Sequence, residues 1–220
     1  MIIGKTTIAV DLMGGENAPY KNLKGVEIFS INNPKVNFIL LGVKNEIEDT
    51  IRSQNIKIFN YEIKNTLDNI KNNDNANVIL RKRKDSSIYK GLELVKDSKA
   101  SGFVSAGNTA ALMILSRLIL GMIDGVDRPA ICSIIPNKND YSIMLDLGAN
   151  STVVAKNLFQ FALMGFCYHG ILKPNIEPRI GIINIGTEYN KGLEFLKEAA
   201  DLIDNSFLKK NFIGFIEPNK

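Results

Sequence analysis

Histidine and cysteine are scarce in this sequence: one histidine, His169, and two cysteines, Cys132 and Cys167. A lone histidine cannot anchor a multi-histidine metal site, and His169 reads as a helix-end residue. The cysteines lie far apart in apolar surroundings, so they read as reduced core residues rather than as a disulfide or a metal site. No stretch of ~18 or more uncharged apolar residues occurs, so no transmembrane helix is expected. Residues 1–7 lack the apolar segment and cleavage site of a signal peptide, which points to the cytoplasm. Net charge is only +4. That permits an acidic partner or a membrane surface without requiring either, and no nucleic-acid partner is expected.

What is present is ample apolar material. The chain is 45% hydrophobic and 23% charged over 220 residues. This suits a soluble globular protein with a sizeable core, as one large domain or two small ones.

The centre of the chain is the run Ser105-Ala106-Gly107-Asn108-Thr109. The apolar segment 102–104 before it reads as a buried strand, and the apolar run 110–120 after it reads as a buried helix. Asn108 or Thr109 is placed to cap that helix. Small residues at a helix N-terminus leave backbone N–H groups directed at one point, with the positive end of the helix dipole behind them. That arrangement favours an anion. The same pattern also fits an ordinary capped turn between a strand and a helix.

Earlier in the chain, residues 6–11 read as a first strand, and Asp11 precedes the turn that holds Gly14 and Gly15. A helix is predicted over 20–30 with Leu23, Val26 and Ile28 inward. Strands are predicted over 36–42 and 56–61, with a helix over 44–54 between them. This alternation implies parallel pairing through right-handed crossovers. Residues 65–77 read as a polar connection. The basic run Arg81-Lys82-Arg83-Lys84 is either a solvated helix face or a contact for phosphate or an acidic protein. A helix over 87–98, with Ile88, Leu92 and Val95 inward, then leads to the centre.

Further strands are predicted over 130–135, 141–146, 179–185 and 212–216, with helices over 156–170 and 191–204. Two of these strands end in polar clusters, Asp146-Leu147-Gly148-Ala149-Asn150 and Asn184-Ile185-Gly186-Thr187-Glu188. If all strands are parallel, these clusters join those at Asp11 and Ser105 on one edge of one sheet. Ligands bind at that edge in open α/β proteins.

Taken together, these runs resemble the bacterial acyl-[acyl-carrier-protein]:phosphate acyltransferases, the PlsX family of fatty acid and phospholipid synthesis. The resemblance is carried by residues 8–15 with Pro19, 81–87 with 92–96, 104–109 with 111–113, 128–130, 145–150 with 160–162 and 164–165, and 184–186 with Glu188, Lys191 and Gly192. The runs occur in the same order along essentially the whole chain.

The resemblance implies a three-layer α/β/α sandwich with a mostly parallel sheet, like isopropylmalate dehydrogenases and phosphotransacetylases. Residues 1–220 would then be a single α/β domain, shortened at its C-terminal side relative to the family. The implied activity is transfer of a long-chain acyl group from acyl carrier protein to inorganic phosphate, with no metal or organic cofactor. The implied setting is a cytoplasmic homodimer, peripherally attached to the membrane, that supplies a glycerol-3-phosphate acyltransferase.

On this reading Asn108, Asp146 and Asn150 are the catalytic candidates. Asp11, Gly14, Gly15, Ser105, Gly107, Thr109, Gly148, Asn184, Gly186, Glu188 and Lys191 bind substrate. Arg81, Lys82, Arg83 and Lys84 meet the carrier protein. Departures from the family pattern are Ala110 in place of a glycine, Ser151-Thr152-Val153 after Asn150, and a thinned acidic run at Thr187-Glu188-Tyr189. Two other readings remain: a non-catalytic form that still binds phosphate or carrier protein, and a phosphotransacetylase-like enzyme using acyl-coenzyme A. An acyl-cysteine mechanism is disfavoured, because neither cysteine has a base or a helix N-terminus nearby in sequence.

Overall fold

The computed structural model describes residues 6–218 apart from 69, 72, 73, 75, 139 and 190. The chain divides into two compact units, 1–121 and 122–220. The sequence reading takes the same span as one α/β domain.

The first unit is built on four parallel strands: β1 (Thr7–Asp11), β2 (Asn37–Gly42), β3 (Tyr61–Asn65) and β4 (Gly102–Val104). Their order in the sheet is β3-β2-β1-β4. The helices are α1 (Tyr20–Asn32), α2 (Lys44–Ser53), α3 (Ala76–Lys82), α4 (Ser87–Lys96) and α5 (Thr109–Ile119). Alternate residues of β1 and β2 point to opposite faces, and both faces are covered. Val10, Leu12, Phe38 and Leu40 form one core with Leu23 and Val26 of α1 and Ile47 of α2. Ala9, Ile39 and Leu41 form another with Leu94 of α4. This unit is therefore three layers, α/β/α. A third cluster packs α4 on α5 through Ile88, Leu92, Ala111 and Leu115.

Three local expectations need correcting. The third strand is not 56–61 but Tyr61–Asn65. Among the described residues it is an edge strand paired with β2 alone, so its mostly exposed residues carry no apolar alternation. Ile56 is buried, but as a loop residue whose N–H donates to the Ile51 carbonyl, 3.0 Å away. The sequence predicts a buried β4, whereas among the described residues β4 lies at the other edge with Val104 exposed. On α1, Leu23 and Val26 face the core as expected, whereas Ile28 faces out.

The second unit contains β5 (Ser133–Pro136), β6 (Tyr141–Met144), α6 (Ala155–Leu172), β7 (Ile180–Ile183), α7 (Glu194–Asp204) and β8 (Phe212–Ile216). β5 and β6 pair antiparallel across a short turn, and β7 and β8 pair parallel across α7. Its core joins Ala155 and Phe159 of α6 to Ile182, Ala199, Ile203, Leu208 and Phe215. Strand pairing is thus mostly parallel, as expected. Among the described residues, however, the strands form three sheets rather than one continuous sheet.

Both cysteines are free, as expected, but exposed rather than in the core. Desolvation of the Cys132 thiol nevertheless pushes its pKa up, which opposes a nucleophilic role. His169 sits in the last turn of α6. Among the described residues no helix is long and apolar enough to cross a membrane.

Candidate active site

In the first unit, β1 leads through α1 to β2 and on to β3 on one side, while β4 pairs with β1 on the other. The carboxyl ends of β1 and β4 therefore flank the point where strand order reverses. In open α/β sheets the loops diverge at such a point and leave a crevice for ligands.

Two sequence-predicted clusters meet there. Asp11 ends β1 and is only 2% exposed. One carboxylate oxygen accepts the Met13 N–H at 2.9 Å, which closes a tight turn. The other accepts the hydroxyl of Ser105 at 2.7 Å, across 94 residues of sequence. The Ser105 hydroxyl oxygen in turn accepts the Gly107 N–H at 3.1 Å. The two loops touch through their glycines. A Cβ on Gly14 would lie 2.6 Å from both Cα and N of Gly107 and 2.7 Å from an Asp11 carboxylate oxygen. No side chain fits there. Gly15 has a φ of +87°, which suits a residue without a Cβ.

Asn108, not Thr109, is the N-cap of α5: its side-chain oxygen accepts the Ala111 N–H at 2.9 Å. Its side-chain nitrogen donates to the carbonyl of Lys71, also at 2.9 Å. Asn108 is buried, and its amide ties Lys71 to the start of α5. The N–H groups of Thr109 and Ala110 follow in the first turn, where the helix itself supplies no acceptor. Both residues are exposed at the positive end of the helix dipole.

Sequence reasoning missed Asn22. From the first turn of α1 its side-chain nitrogen donates to the carbonyls of Asp11, at 3.2 Å, and Gly14, at 2.8 Å. The available signal was an asparagine in the first helical turn after a glycine pair.

In the second unit, Asp146 organises its own loop. One carboxylate oxygen accepts the N–H groups of Ile131 at 2.8 Å and Ala149 at 3.1 Å. The other accepts both the backbone and the side-chain N–H of Asn150, each at 2.9 Å. The Asn150 side chain also donates to the Pro129 carbonyl at 2.9 Å. Gly148, with φ +92°, makes the turn between them and is exposed. Burial alone would raise the Asp146 pKa. The hydrogen bonds from Asn150, Ile131 and Ala149 outweigh it and hold the carboxyl below its ordinary value.

This shift gives a prediction. A depressed folded pKa contributes stability that is fully present above the unfolded value of ~3.9 and is lost as pH falls through the lower folded value. Asp146→Asn should therefore melt below the wild type near neutral pH, and the gap should narrow on acidification below about pH 4. Melting temperature against pH for both proteins checks it. A gap that stays constant into acid would show that the carboxylate contributes nothing through its charge.

The Asn184 cluster is equally self-contained. Asn184 is buried, donates to the Lys191 carbonyl at 3.1 Å and accepts the Ile185 N–H at 2.8 Å. Gly192 packs against its amide, where a Cβ would clash. Lys191 pairs with Glu188 at 2.8 Å, both exposed, and this partner raises the lysine pKa. Gly186 lies beneath that pair. The Asp146 and Asn184 clusters thus end strands of two different small sheets, and neither belongs to the four-stranded sheet that carries Asp11 and Ser105.

In the basic run, Arg81 and Lys84 are exposed at the end of α3 and in the single turn after it. The side chains of Lys82 and Arg83 lie outside the described set. Among the described residues no cluster of histidine, cysteine and carboxylates could hold a metal ion.

The family described as "Fatty acid synthesis protein" matches residues 6–220. A phosphate acyltransferase from Clostridium tetani is 41% identical over 211 residues, covering 96% of this chain and 63% of the relative. One from Wolbachia pipientis is 40% identical over 217 residues, covering 97% of this chain and 63% of the relative. One from Jannaschia sp. is 37% identical over 219 residues, covering 98% and 60%. The chain thus spans about three-fifths of the length of these relatives. Among solved structures, the EutD phosphotransacetylase from Staphylococcus aureus superposes with a TM-score of 0.65 at 18% identity, over 99% of this chain and 69% of the other. A phosphotransacetylase from Streptococcus pyogenes superposes with a TM-score of 0.66 at 18% identity, over 98% and 70%. At that identity the likeness is one of fold.

Proposed function

The chain belongs to the fatty acid synthesis protein family, the PlsX phosphate acyltransferases, and from that premise we propose that it makes acyl phosphate from acyl-[acyl-carrier-protein] and inorganic phosphate. The observation that carries the reading is the junction of the β1 and β4 loops at the switch point of the parallel sheet. There the Asp11–Ser105 hydrogen bond and the close approach of Gly14 to Gly107 bring the two loops together at the sheet edge where open α/β proteins bind ligands.

In the proposed reaction a phosphate oxygen attacks the thioester carbonyl. The carbonyl carbon becomes tetrahedral and its oxygen an oxyanion. Collapse re-forms the C=O bond, breaks the C–S bond and releases the carrier's thiolate, which takes up the proton that the attacking hydrogen phosphate gives up. The chemistry needs donors where negative charge is held or develops, preorganised so that none has to reorient. The first-turn N–H groups at Thr109 and Ala110 and the positive end of α5 supply such a surface. Asp11 and Ser105 act by fixing the two loops, since their polar atoms are already bonded to each other and to the backbone. Asn108 serves the same end as cap of α5 and tether to Lys71.

Asp146 with Gly148 and Asn150, and Asn184 with Gly186, Glu188 and Lys191, are proposed substrate-handling loops of the second unit on the family resemblance. Exposed Arg81 and Lys84 offer an acidic carrier protein a positive surface. Dimerisation, peripheral membrane attachment from the cytoplasm and delivery to a glycerol-3-phosphate acyltransferase complete the proposal.

The test is acyl-phosphate formation with two donors, long-chain acyl-[acyl-carrier-protein] and the matching acyl-coenzyme A. Product from the carrier-protein thioester at higher kcat/KM supports the reading. Preference for the coenzyme A thioester would favour a phosphotransacetylase-like activity. Phosphate binding with no product from either would favour a non-catalytic role.

A further inference from the structure

We propose that Asn22 is a positioning residue for the phosphate, holding the Gly14–Gly15 turn in place against Gly107. The proposal rests on the reading of the β1–β4 junction as the phosphate site.

The geometry is a clamp. One NH2 group carries two hydrogens, and Asn22 spends them on two carbonyls, those of Asp11 and Gly14. These carbonyls are the two ends of the turn that begins where β1 stops. The Asp11 carboxylate closes the same turn from within through the Met13 N–H. The turn is therefore braced on one side by α1 and on the other by Ser105, which holds Asp11.

The brace also sets direction. In a trans peptide the N–H points opposite to the preceding carbonyl. With the Gly14 carbonyl held by Asn22 at 2.8 Å, the Gly15 N–H is aimed away from α1. Gly15 itself lies beside Ala106, which precedes Gly107 in the β4 loop. Without the clamp the Gly14–Gly15 peptide can rotate, and rotation turns a carbonyl oxygen where a phosphate needs a donor. The Gly14–Gly107 approach is too close to absorb such a movement without shifting the second loop.

The test uses inorganic phosphate as the probe. Its dissociation constant is measured by 31P NMR or calorimetry for the wild type, Asn22→Ala, Asn22→Asp and Asn22→Gln, well below each melting temperature. Asn22→Ala should bind phosphate roughly tenfold or more weakly, within the ~100-fold that a misplaced group can cost. Asn22→Asp should be at least as weak, because a carboxylate cannot donate to either carbonyl. Asn22→Gln keeps the donor and should recover part of the loss. KM for the acyl thioester should stay within about twofold of wild type, which separates a positioned phosphate from general loosening of the fold.

Equal phosphate affinity in wild type and Asn22→Ala overturns the proposal, even if the melting temperature falls. So does a wild type that binds no phosphate. Acyl-phosphate synthesis is scored separately. Its absence from a wild type that still binds phosphate overturns the functional reading alone, and Asn22 is then judged by the affinity ratio.

Discussion

Gly14→Ala is expected to lower acyl-phosphate synthesis about 100-fold and stability by roughly 1–3 kcal/mol. The added Cβ would sit 2.6 Å from the backbone of Gly107 and 2.7 Å from an Asp11 carboxylate oxygen. None of these atoms is the loose end of a side chain. One loop must therefore move, and the Asp11–Ser105 hydrogen bond at 2.7 Å links the two loops, so both shift together. The control is Gly25→Ala on α1. A Cβ there meets nothing within 4 Å, so the change should be neutral or stabilising by about 0.5–1 kcal/mol with turnover intact. Kinetics and thermal melts on the two variants check this. Equal activity for both would mean that the glycine contact has no part in the site.

Asn108→Asp is the second large expected effect. Considered only as a cap or as a phosphate donor, Asn108 would tolerate Asp without loss of stability, since Asp caps a helix as well as Asn does. The structure changes that expectation. The Asn108 side-chain nitrogen donates to the Lys71 carbonyl, so Asp puts a carboxylate oxygen against a carbonyl oxygen in a buried place. Leaving that acceptor unsatisfied costs about 1–3 kcal/mol, against which the charge gains ~0.3–1 kcal/mol from the helix N-terminus. Asn108→Ala loses the cap, about 0.5–2 kcal/mol, and the tether as well. Both variants should therefore melt below wild type, with KM for phosphate rising as the first turn of α5 loosens. A normal melting temperature for Asn108→Asp, with turnover down ~10²–10³-fold, would instead make the amide a direct donor to the reacting group.

Much of this was legible in the sequence where one physical signal dominated. β2 is a continuous apolar run because α1 and α2 cover one of its faces and α4 the other. The start of α5 was visible because small polar residues interrupt two apolar segments. Asp11 and Ser105 were recognisable as site-forming types at strand ends. Their mutual hydrogen bond was not, since the pairing is set by β4 adding beside β1 rather than by any local pattern.

The failures have equally local causes. β3 is polar because it is an edge, and the alternation of Ile56 and Ile58 around Lys57, a few residues before it, mimics a strand. β5 and β6 looked like members of a parallel series, although only a short turn separates them, too short for a crossover. Asn22 is not singled out by the sequence, because nothing there shows that two carbonyls of the preceding turn lie within its reach.

The most direct test of the account is a crystal structure with inorganic phosphate bound. The account predicts phosphate at the carboxyl ends of β1 and β4, within hydrogen-bonding distance of the backbone at Gly15 and of the first turn of α5 at Thr109 and Ala110. Phosphate bound instead at the Asn184–Lys191 loop, with the β1–β4 junction left to water, would contradict it.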